Sequence, residues 1–212
     1  MKIVVFDTET SGLPSERNAS IYETQKWPYI LQLSFIIYDT DTNEIEKEYN
    51  KYVKINRNLV IINEEASKVH GITYDKLEKE GIDIKHVLTD FNNALIETDI
   101  CVAHNITFDK LLILVEAIRN NIRFNFKGQY CTMMNGKEVC KIERISPEGK
   151  TYYKSPKLIE LYTHLFNEEP KNLHDSMADI LLCLKCYCKM VFNNDLSLTS
   201  RHFRSLYRGN CS

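Results

Sequence analysis

The first ten residues constrain the fold most, because they join a buried strand to two carboxylates at its end. Residues 2–8 are rich in β-branched and aromatic side chains, and residues 11–14 (Ser-Gly-Leu-Pro) indicate a turn after them. Alternation along a strand places Asp7 and Glu9 on one face, roughly 6.5–7 Å apart at Cα. Two such carboxylates are costly to bury unless a cation lies between them. Exposure of both acids at the strand end is the alternative that this segment alone leaves open.

The composition is that of one globular domain. At 212 residues the chain is little longer than one domain of about 150 residues. We interpret residues 1–212 as a single domain, with a core over about 1–192 and a last helix over about 196–207. The 43% of hydrophobic and 26% of charged residues exclude disordered, collagen-like and coiled-coil classes. A net charge of −2 excludes a strongly basic protein that coats nucleic acid irrespective of sequence. It leaves open a local basic patch or an acidic site bridged by a cation.

The expected compartment follows from the apolar segments and the cysteines. No apolar run approaches the ~20 residues that span a bilayer, and the run at 3–6 is too short for a signal peptide. We therefore expect an intracellular protein without a membrane partner. The seven cysteines are odd in number and form no spaced framework, which favours reduced thiols over disulfides.

Hydrophobic periodicity predicts a meander of strands followed by strands that alternate with helices. The further predicted strands are 29–38, 44–54, 99–103 and 128–132. The predicted helices are 84–96, 106–122, 156–166, 175–192 and 196–207, and a hairpin around Pro147 is predicted within 139–153. The first three strands are close in sequence, as in an antiparallel meander. This order favours a mixed sheet with helices on both faces.

Two more acids occur where a buried helix begins. In the helix after residue 174, Asp179 points away from the core stripe, onto a face that is otherwise apolar. Asp109 lies in the first turns of an earlier buried helix, just after the polar pair His-Asn at 104–105 that ends a strand. Each acid fits either a first-turn residue favoured by the helix dipole or a metal ligand.

A histidine precedes the later of these helices. His174 lies five residues before Asp179, about 140° around a helix, so the two do not share a helical face. His174 must reach a common site from the helix start, next to Asp175, which we predict as the N-cap. A histidine there changes charge near neutral pH and can accept a proton. Taken alone, the position also fits an ordinary surface residue.

Three segments together resemble the exonuclease motifs of the DEDDh family. They are residues 6–13 (Phe-Asp-Thr-Glu-Thr-Ser-Gly-Leu), 104–109 (His-Asn-Ile-Thr-Phe-Asp) and 174–179 (His-x-x-x-x-Asp). The family includes the proofreading epsilon subunit of bacterial replicative polymerase and its stand-alone relatives. Residues 69–73 (Val-His-Gly-Ile-Thr) resemble the family's His-Gly-Ile segment, and residues 155–166 resemble the segment before the third motif. The resemblance extends over nearly the whole chain.

The resemblance implies an α/β, ribonuclease-H-like fold, in which helices flank a five-stranded mixed sheet. It also implies two Mg²⁺ or Mn²⁺ ions held by Asp7, Glu9 and Asp179. Asp109 would contribute to the second ion, and His174 would act as general base on the attacking water. The chemistry agrees, because two cations about 3.5–4 Å apart can generate the nucleophile and stabilise the leaving oxygen of a phosphodiester. Hard carboxylate oxygens favour Mg²⁺ over zinc.

The implied activity is 3′-to-5′ hydrolysis of nucleic acid with release of nucleoside 5′-monophosphates. The backbone near Thr10 would bind the terminal nucleotide, Leu13 matches the apolar wedge beneath its base, and His70 and Asn105 match positions that line the groove. Single-stranded DNA ends are the favoured substrate, in DNA repair or in proofreading for a polymerase bound in trans. The enzyme would then be cytoplasmic or located with the replication machinery. The alternatives are an RNA-trimming enzyme of the same family and a catalytically silent scaffold, which is disfavoured because no acid of the set is missing.

The last long helix carries two further patterns. Cys183, Cys186 and Cys188 are interpreted as buried thiols, because no second matched pair completes a zinc site. The strip that holds Lys185 and Lys189 is the part of this helix predicted to face solvent.

Two basic segments have both a structural and a functional interpretation. Arg201, Arg204 and Arg208 indicate a solvated helix face, with contact to a nucleic-acid backbone as the alternative. The predicted hairpin is a hypothetical overhang of the site. Its basic residues are Lys141, Arg144, Lys150 and Lys154.

Overall fold

A computed structural model describes residues 1–170 and 175–211, and a five-stranded sheet forms its centre. The sheet strands are β1 (Lys2–Thr10), β2 (Ile30–Asp39), β3 (Glu44–Tyr52), β4 (Ile100–Ala103) and β5 (Gly128–Cys131). Their order across the sheet is β3-β2-β1-β4-β5. Two more strands, β6 (Glu143–Ile145) and β7 (Thr151–Tyr153), pair with each other as a separate hairpin.

Strand pairing brings the ends of three strands to one edge of the sheet. β1 pairs antiparallel with β2, and β2 pairs antiparallel with β3, as the predicted meander requires. β4 is parallel to β1, and β5 is parallel to β4. The carboxyl ends of β1, β4 and β5 therefore meet at the same edge, where open sheets of this kind build their sites. The pairing confirms the mixed α/β sheet predicted from the sequence.

Helices cover both faces of the sheet. They are α1 (Glu64–His70), α2 (Tyr74–Glu80), α3 (Ile84–Glu97), α4 (Ile106–Asn120), α5 (Thr132–Cys140), α6 (Leu158–Phe166), α7 (Ser176–Phe192), α8 (Leu196–Thr199) and α9 (Arg201–Cys211). Val4 of β1 shares a buried cluster with Phe91 of α3, whereas Val5 shares one with Ile180 of α7. Because side chains alternate along a strand, Asp7 lies on the side of β1 that faces α7. Within the described ranges, no helix combines the length and the apolar character needed to cross a membrane.

The structure differs from the predicted elements mainly at short helices. No helix is predicted where α1, α2 and α5 form, and α5 ends at Cys140, two residues into the segment predicted as a hairpin. Side-chain caps from Asn63 and Thr73 start α1 and α2, which bury only Leu77 and so leave little hydrophobic periodicity. α5 contains Gly136, where an added Cβ would meet a side chain of α6 at 3.0 Å. The predicted last helix is two helices, α8 and α9, separated at Ser200.

One side of α7 is buried where the sequence predicts exposure. Lys185 is only 2% exposed, because α6 and α9 pack over it. Its ammonium donates to the Tyr162 hydroxyl at 3.0 Å and lies 4.0 Å from the ring centre of Phe166. The prediction for Lys185 was wrong, since the pattern of one helix does not show which later helices cover it. Lys189, one turn further on, is partly exposed.

The other side chains of α7 and α9 follow the sequence interpretation, with one exception. Cys183, Cys186 and Cys188 are buried free thiols. Arg201 and Arg208 are exposed. Arg204 instead is partly buried, and it donates to the last carbonyl groups of α8, those of residues 197 and 198. It closes the end of that helix and does not belong to a solvated face.

Candidate active site

Three carboxylates converge at the end of β1. Asp7 and Glu9 of β1 and Asp179 of α7 each offer an oxygen, and these oxygens all lie within 4.8 Å of one another. The alternation of β1 turns both of its acids toward α7, and Asp179 stands in the first turn of that helix. This is the only group of three or more potential metal ligands found among residues 1–170 and 175–211. Three hard oxygen donors at this spacing fit Mg²⁺ or Mn²⁺.

The electrostatics of the cluster favour a cationic ligand. Burial raises the pKa of Asp7 well above its usual range, and the neighbouring Asp109 and Asp179 raise it further. Burial also raises the pKa of Glu9 to about 8, again with contributions from Asp179 and Asp109. None of the ion pairs found in the described part of the chain involves Asp7, Glu9 or Asp109. A bound divalent cation would supply the charge that these carboxylates need to ionise together.

The fourth acid, Asp109, is held beside the cluster by hydrogen bonds. It lies in the first turn of α4 and is 3% exposed. Its Oδ1 accepts from the backbone N–H of Thr8 at 3.1 Å and from the Thr8 hydroxyl at 2.7 Å. Burial raises the pKa of Asp109 to about 7, although the hydrogen bonds from Thr8 oppose the shift. Asp109 therefore adjoins the three converging carboxylates but lies outside the group within 4.8 Å.

The start of α7 is fixed by the residue before it. Asp175 caps this helix, since its Oδ1 accepts from the N–H groups of Met177 at 3.0 Å and Ala178 at 3.3 Å. The predicted N-cap is therefore present, and it orients the turn that carries Asp179. His174, the predicted general base, lies outside the described residues.

A cavity of about 460 Å³ opens beside the cluster. Glu9 and Thr10 at the end of β1 and Leu13 just after it line this cavity, together with residues of α1 and of the start of α4. The Leu13 side chain is 79% exposed, which is unusual for leucine and leaves it available to an apolar ligand surface. Thr10 is buried, and its hydroxyl donates to the carbonyl oxygen of Gly12 at 2.7 Å, which holds this turn.

His70 lines the same cavity, but both of its ring nitrogens form hydrogen bonds within the protein. Nε2 lies 3.2 Å from the carbonyl oxygen of Thr10, and Nδ1 accepts from the N–H of Ile72 at 3.0 Å. The ring is therefore neutral with its proton on Nε2, and burial lowers its pKa. The left-handed Gly71, at φ 67°, allows the chain to turn so that Ile72 reaches the ring. His70 thus ties the end of α1 to the end of β1.

The two polar residues that follow β4, His104 and Asn105, have different roles. His104 is bonded on both nitrogens, to the Thr132 hydroxyl at 3.0 Å and the Pro156 carbonyl at 3.1 Å. Burial lowers its pKa to about 4, so it is a neutral structural residue. Asn105 is exposed and adopts a left-handed conformation, φ 67°, which asparagine tolerates better than most residues. It stands between β4 and α4, and it is not among the residues that line the cavity.

Seven residues that line the cavity were not assigned a role from the sequence. They are Thr8, Gly12, Asn63, Glu65, Ala66, Val69 and Phe108. Phe108 lies next to Asp109 within the second motif, and Val69 lies next to His70. Proximity to those motifs is the only sequence signal that indicates Phe108 and Val69. The role of the cavity-lining residues depends on how the fold brings α1 and α4 to the cavity.

The sheet, the convergent acids and the cavity agree with a family comparison. A family model described as an exonuclease, RNase_T, matches residues 4–187. The chain belongs to this exonuclease family. The RNase_T match confirms the resemblance to DEDDh exonucleases that the three motifs indicate. Comparison with curated protein sequences gave no significant match.

Solved structures of nucleases share this RNase_T fold. E. coli exonuclease I in complex with a dT13 oligonucleotide is 15% identical, with a TM-score of 0.64 over 89% of this chain and 41% of that chain. Product-bound exonuclease I is 17% identical, with a TM-score of 0.67 over 98% of this chain and 46% of that chain. Cell-death related nuclease 4 is 15% identical, with a TM-score of 0.65 over 91% of this chain and 64% of that chain. The chain therefore spans less than half the length of these exonuclease I structures.

The raised carboxylate pKa values predict how the metal-free protein responds to pH. The folded state keeps a proton on Glu9 up to about pH 8, whereas the unfolded chain loses it near the usual glutamate pKa of about 4.3. The folded state therefore binds more protons across this window, and its stability falls as pH rises. In EDTA, we expect Tm to fall from pH 5 to pH 8, and Mg²⁺ at pH 8 to restore it.

The matched variant for this measurement is Glu9→Gln, which keeps the shape of the side chain and removes its titration. Its Tm in EDTA should change less with pH than that of the parent, by about 2–4 °C for each kcal/mol of linkage removed. An unchanged pH slope in Glu9→Gln would show that Glu9 is not a source of the effect.

Proposed function

We propose that this chain is a metal-dependent 3′-to-5′ exonuclease that releases nucleoside 5′-monophosphates, preferably from single-stranded DNA ends. The observation that carries the proposal is the convergence of Asp7, Glu9 and Asp179 beside an open cavity, at the end of the strand that carries the first motif. An isolated carboxylate cluster is common on protein surfaces. Its combination with the RNase_T family match favours phosphodiester hydrolysis.

The proposed cofactor is a pair of Mg²⁺ or Mn²⁺ ions. Asp7, Glu9 and Asp179 would hold them, and Asp109 would contribute to the second. When bound, these ions supply an activated water and stabilise the leaving oxygen. Thr8 would hold Asp109 toward the site through its two hydrogen bonds.

The protein's own groups would bind the substrate and move the proton. Leu13 and Phe108 both line the cavity and offer apolar surface to the terminal base. The backbone near Thr10 would bind the terminal nucleotide, and Asn105 would line the groove. Since both nitrogens of His70 bond within the protein, its proposed contribution is to hold Thr10 in place beneath the substrate. His174 is proposed to accept the proton of the attacking water, as the third motif implies.

One comparison favours DNA over RNA as the proposed substrate. Exonuclease I structures similar to this chain contain dT13 and dA16 oligonucleotides, and no group in the described cavity is identified as a reader of the 2′-hydroxyl. An RNA-trimming enzyme of the same family is the alternative. A polymerase partner and a role in proofreading or repair stay predictions from the motif resemblance alone. A catalytically silent scaffold is disfavoured because all four acids are present.

The polarity of the proposed reaction can be tested on blocked substrates. Single-stranded DNA with a 5′ label and a free 3′-OH should shorten progressively from the 3′ end, whereas the same strand with a blocked 3′ end should resist. An RNA strand of equal sequence, tested in parallel, decides between the two substrate classes. Cleavage of a circular single strand at the rate of the linear one would indicate an endonuclease and contradict the proposal.

A further inference from the structure

The β6–β7 hairpin projects from the fold with little contact to the rest of the protein. Most of residues 141–152 are exposed. Its turn is closed by the N–H of Gly149, which donates to the carbonyl oxygen of Ser146 at 2.9 Å, and Gly149 has a φ of 78°. A two-stranded hairpin alone buries too little to stabilise itself well. Its two faces are therefore accessible to a partner.

The two faces of the hairpin differ in charge. Arg144 pairs with Tyr152 across the strands, Ile145 pairs with Thr151, and Ser146 bonds to the backbone of Lys150 one further step toward the turn, two pairs from Arg144. Alternation places Arg144, Lys150 and Tyr152 on one face, which we call the basic face. Glu143 and the residues at 145, 151 and 153 lie on the opposite face. The basic face thus combines two cations and a tyrosine that is 49% exposed.

The two cations of the basic face have no acidic partner. Among the described residues, no ion pair involves Arg144 or Lys150. Lys154, at the root of the same face, differs, because its ammonium is bonded to Glu160 at 2.5 Å. Two unpaired cations beside an exposed aromatic ring match a single-stranded nucleic acid, whose phosphates take the charges and whose bases stack on the ring.

The root of the hairpin lies at the edge of the sheet that carries the carboxylates. The N–H of Lys154 donates to the carbonyl oxygen of Ile142 at 2.9 Å and closes the root. Two residues later, the Pro156 carbonyl bonds to His104, directly after β4. Five residues from root to tip span about 17 Å at ~3.3 Å per residue. That length corresponds to about five stacked nucleotides at ~3.4 Å each.

We propose that the basic face binds single-stranded nucleic acid upstream of the 3′ end. Arg144 and Lys150 bind phosphates, and Tyr152 stacks on one base. The strand then runs from the hairpin to the cavity beside Leu13. The proposal rests on the proposed exonuclease function, and it adds a binding surface that selects longer strands.

Binding without catalysis is the first test. Fluorescence anisotropy in EDTA would compare labelled dT20 bound to the parent and to the triple variant Arg144→Gln, Lys150→Gln, Tyr152→Ala. We expect affinity to fall roughly tenfold, from the loss of one stack and two phosphate contacts. The slope of log K against log salt should decrease by about 1.4, which is two contacts at ~0.7 each for single strands.

The opposite face supplies the control. The double variant Glu143→Gln, Thr151→Ser changes the same hairpin and should bind like the parent. Unchanged Tm in the triple variant would show that the fold is intact. Parent-like affinity and salt slope in the triple variant would overturn the proposal, as would an equal loss in the control.

Catalysis on short and long strands is the second test. The triple variant should show a raised KM on dT20 and parent-like rates on a dinucleotide, which is too short to reach the hairpin. Equal losses on both substrates would overturn the proposal. If the parent degrades neither substrate, the proposed function fails, whereas the binding measurement in EDTA still decides the role of the hairpin.

Discussion

Asp7→Ala is expected to reduce exonuclease activity more than any other single substitution. Asp7 forms the carboxylate cluster with Glu9 and Asp179, and Asp109 also raises its pKa. Its loss would weaken the binding of both proposed ions, which supply several kcal/mol of transition-state stabilisation. A loss of about 4 kcal/mol corresponds to a rate reduction of ~10³-fold. The measurement is the rate of nucleotide release at saturating Mg²⁺.

The same variant should fold normally without metal. Removing one acid from a crowded cluster relieves repulsion, so Tm in EDTA should stay level or rise. The increase in Tm on addition of Mg²⁺ should shrink, because binding to the folded state is weaker. Asp75→Ala, an exposed acid in the first turn of α2 with only a 3.7 Å ion pair, is the matched control and should keep both activity and the Mg²⁺ effect. Full activity in Asp7→Ala would contradict the assignment of the site.

His174→Ala is expected to slow hydrolysis while leaving the metal ligands in place. Loss of a general base costs ~10²–10⁴-fold in rate. The increase in Tm on Mg²⁺ binding should remain close to that of the parent. Activity should recover in part as pH rises, because hydroxide then replaces the missing base. Melting temperature against Mg²⁺ and rate against pH are the two titrations that check this.

These two variants separate two roles. Asp7→Ala should lose the effect of Mg²⁺ on Tm, and His174→Ala should keep it. Should His174→Ala lose that effect as completely, the histidine would be a ligand or a structural residue, and its proposed role as base would be wrong.

The central sheet could be predicted because its strands are long and their patterns are strong. β1 and β2 are nine and ten residues long, and neither contains an exposed residue, so periodicity identifies them and their closeness in sequence predicts the meander. The positions of Asp7 and Glu9 on one face follow from alternation alone. Asp179 could be placed opposite the core stripe of its helix, but its distance from β1 could not be obtained from one helix.

What could not be predicted depends on contacts between distant segments. The burial of Lys185 requires α6 and α9 to pack over it, and no local pattern contains that information. The two hydrogen bonds from Thr8 that hold Asp109 join residues about a hundred positions apart. The bonds that occupy both nitrogens of His70 likewise depend on the close approach of α1 to the end of β1. Each of these is a tertiary effect that overrides local propensity.

The β6–β7 hairpin could be predicted from the sequence only in part. Its turn is evident from Pro147 and Gly149, which suit a tight turn with one left-handed residue. The helix α5 before it was not predicted, because residues 132–140 include a glycine and an asparagine that weaken helical patterns. The structure also distinguishes the basic residues of the hypothetical overhang. Lys154 forms an ion pair with Glu160, whereas no ion pair of the described residues involves Arg144 or Lys150.

If the carboxylate cluster holds the metal ions that drive 3′-end hydrolysis, nucleotide release depends on a divalent cation. Nucleoside 5′-monophosphate release from single-stranded DNA would be followed in EDTA, and then after addition of Mg²⁺ or Mn²⁺ in excess. We expect no release in EDTA and full recovery with either ion, with Asp7→Ala ~10³-fold slower than the parent after the ion is added. Undiminished hydrolysis in EDTA, or recovery of Asp7→Ala to the parent's rate, would contradict it.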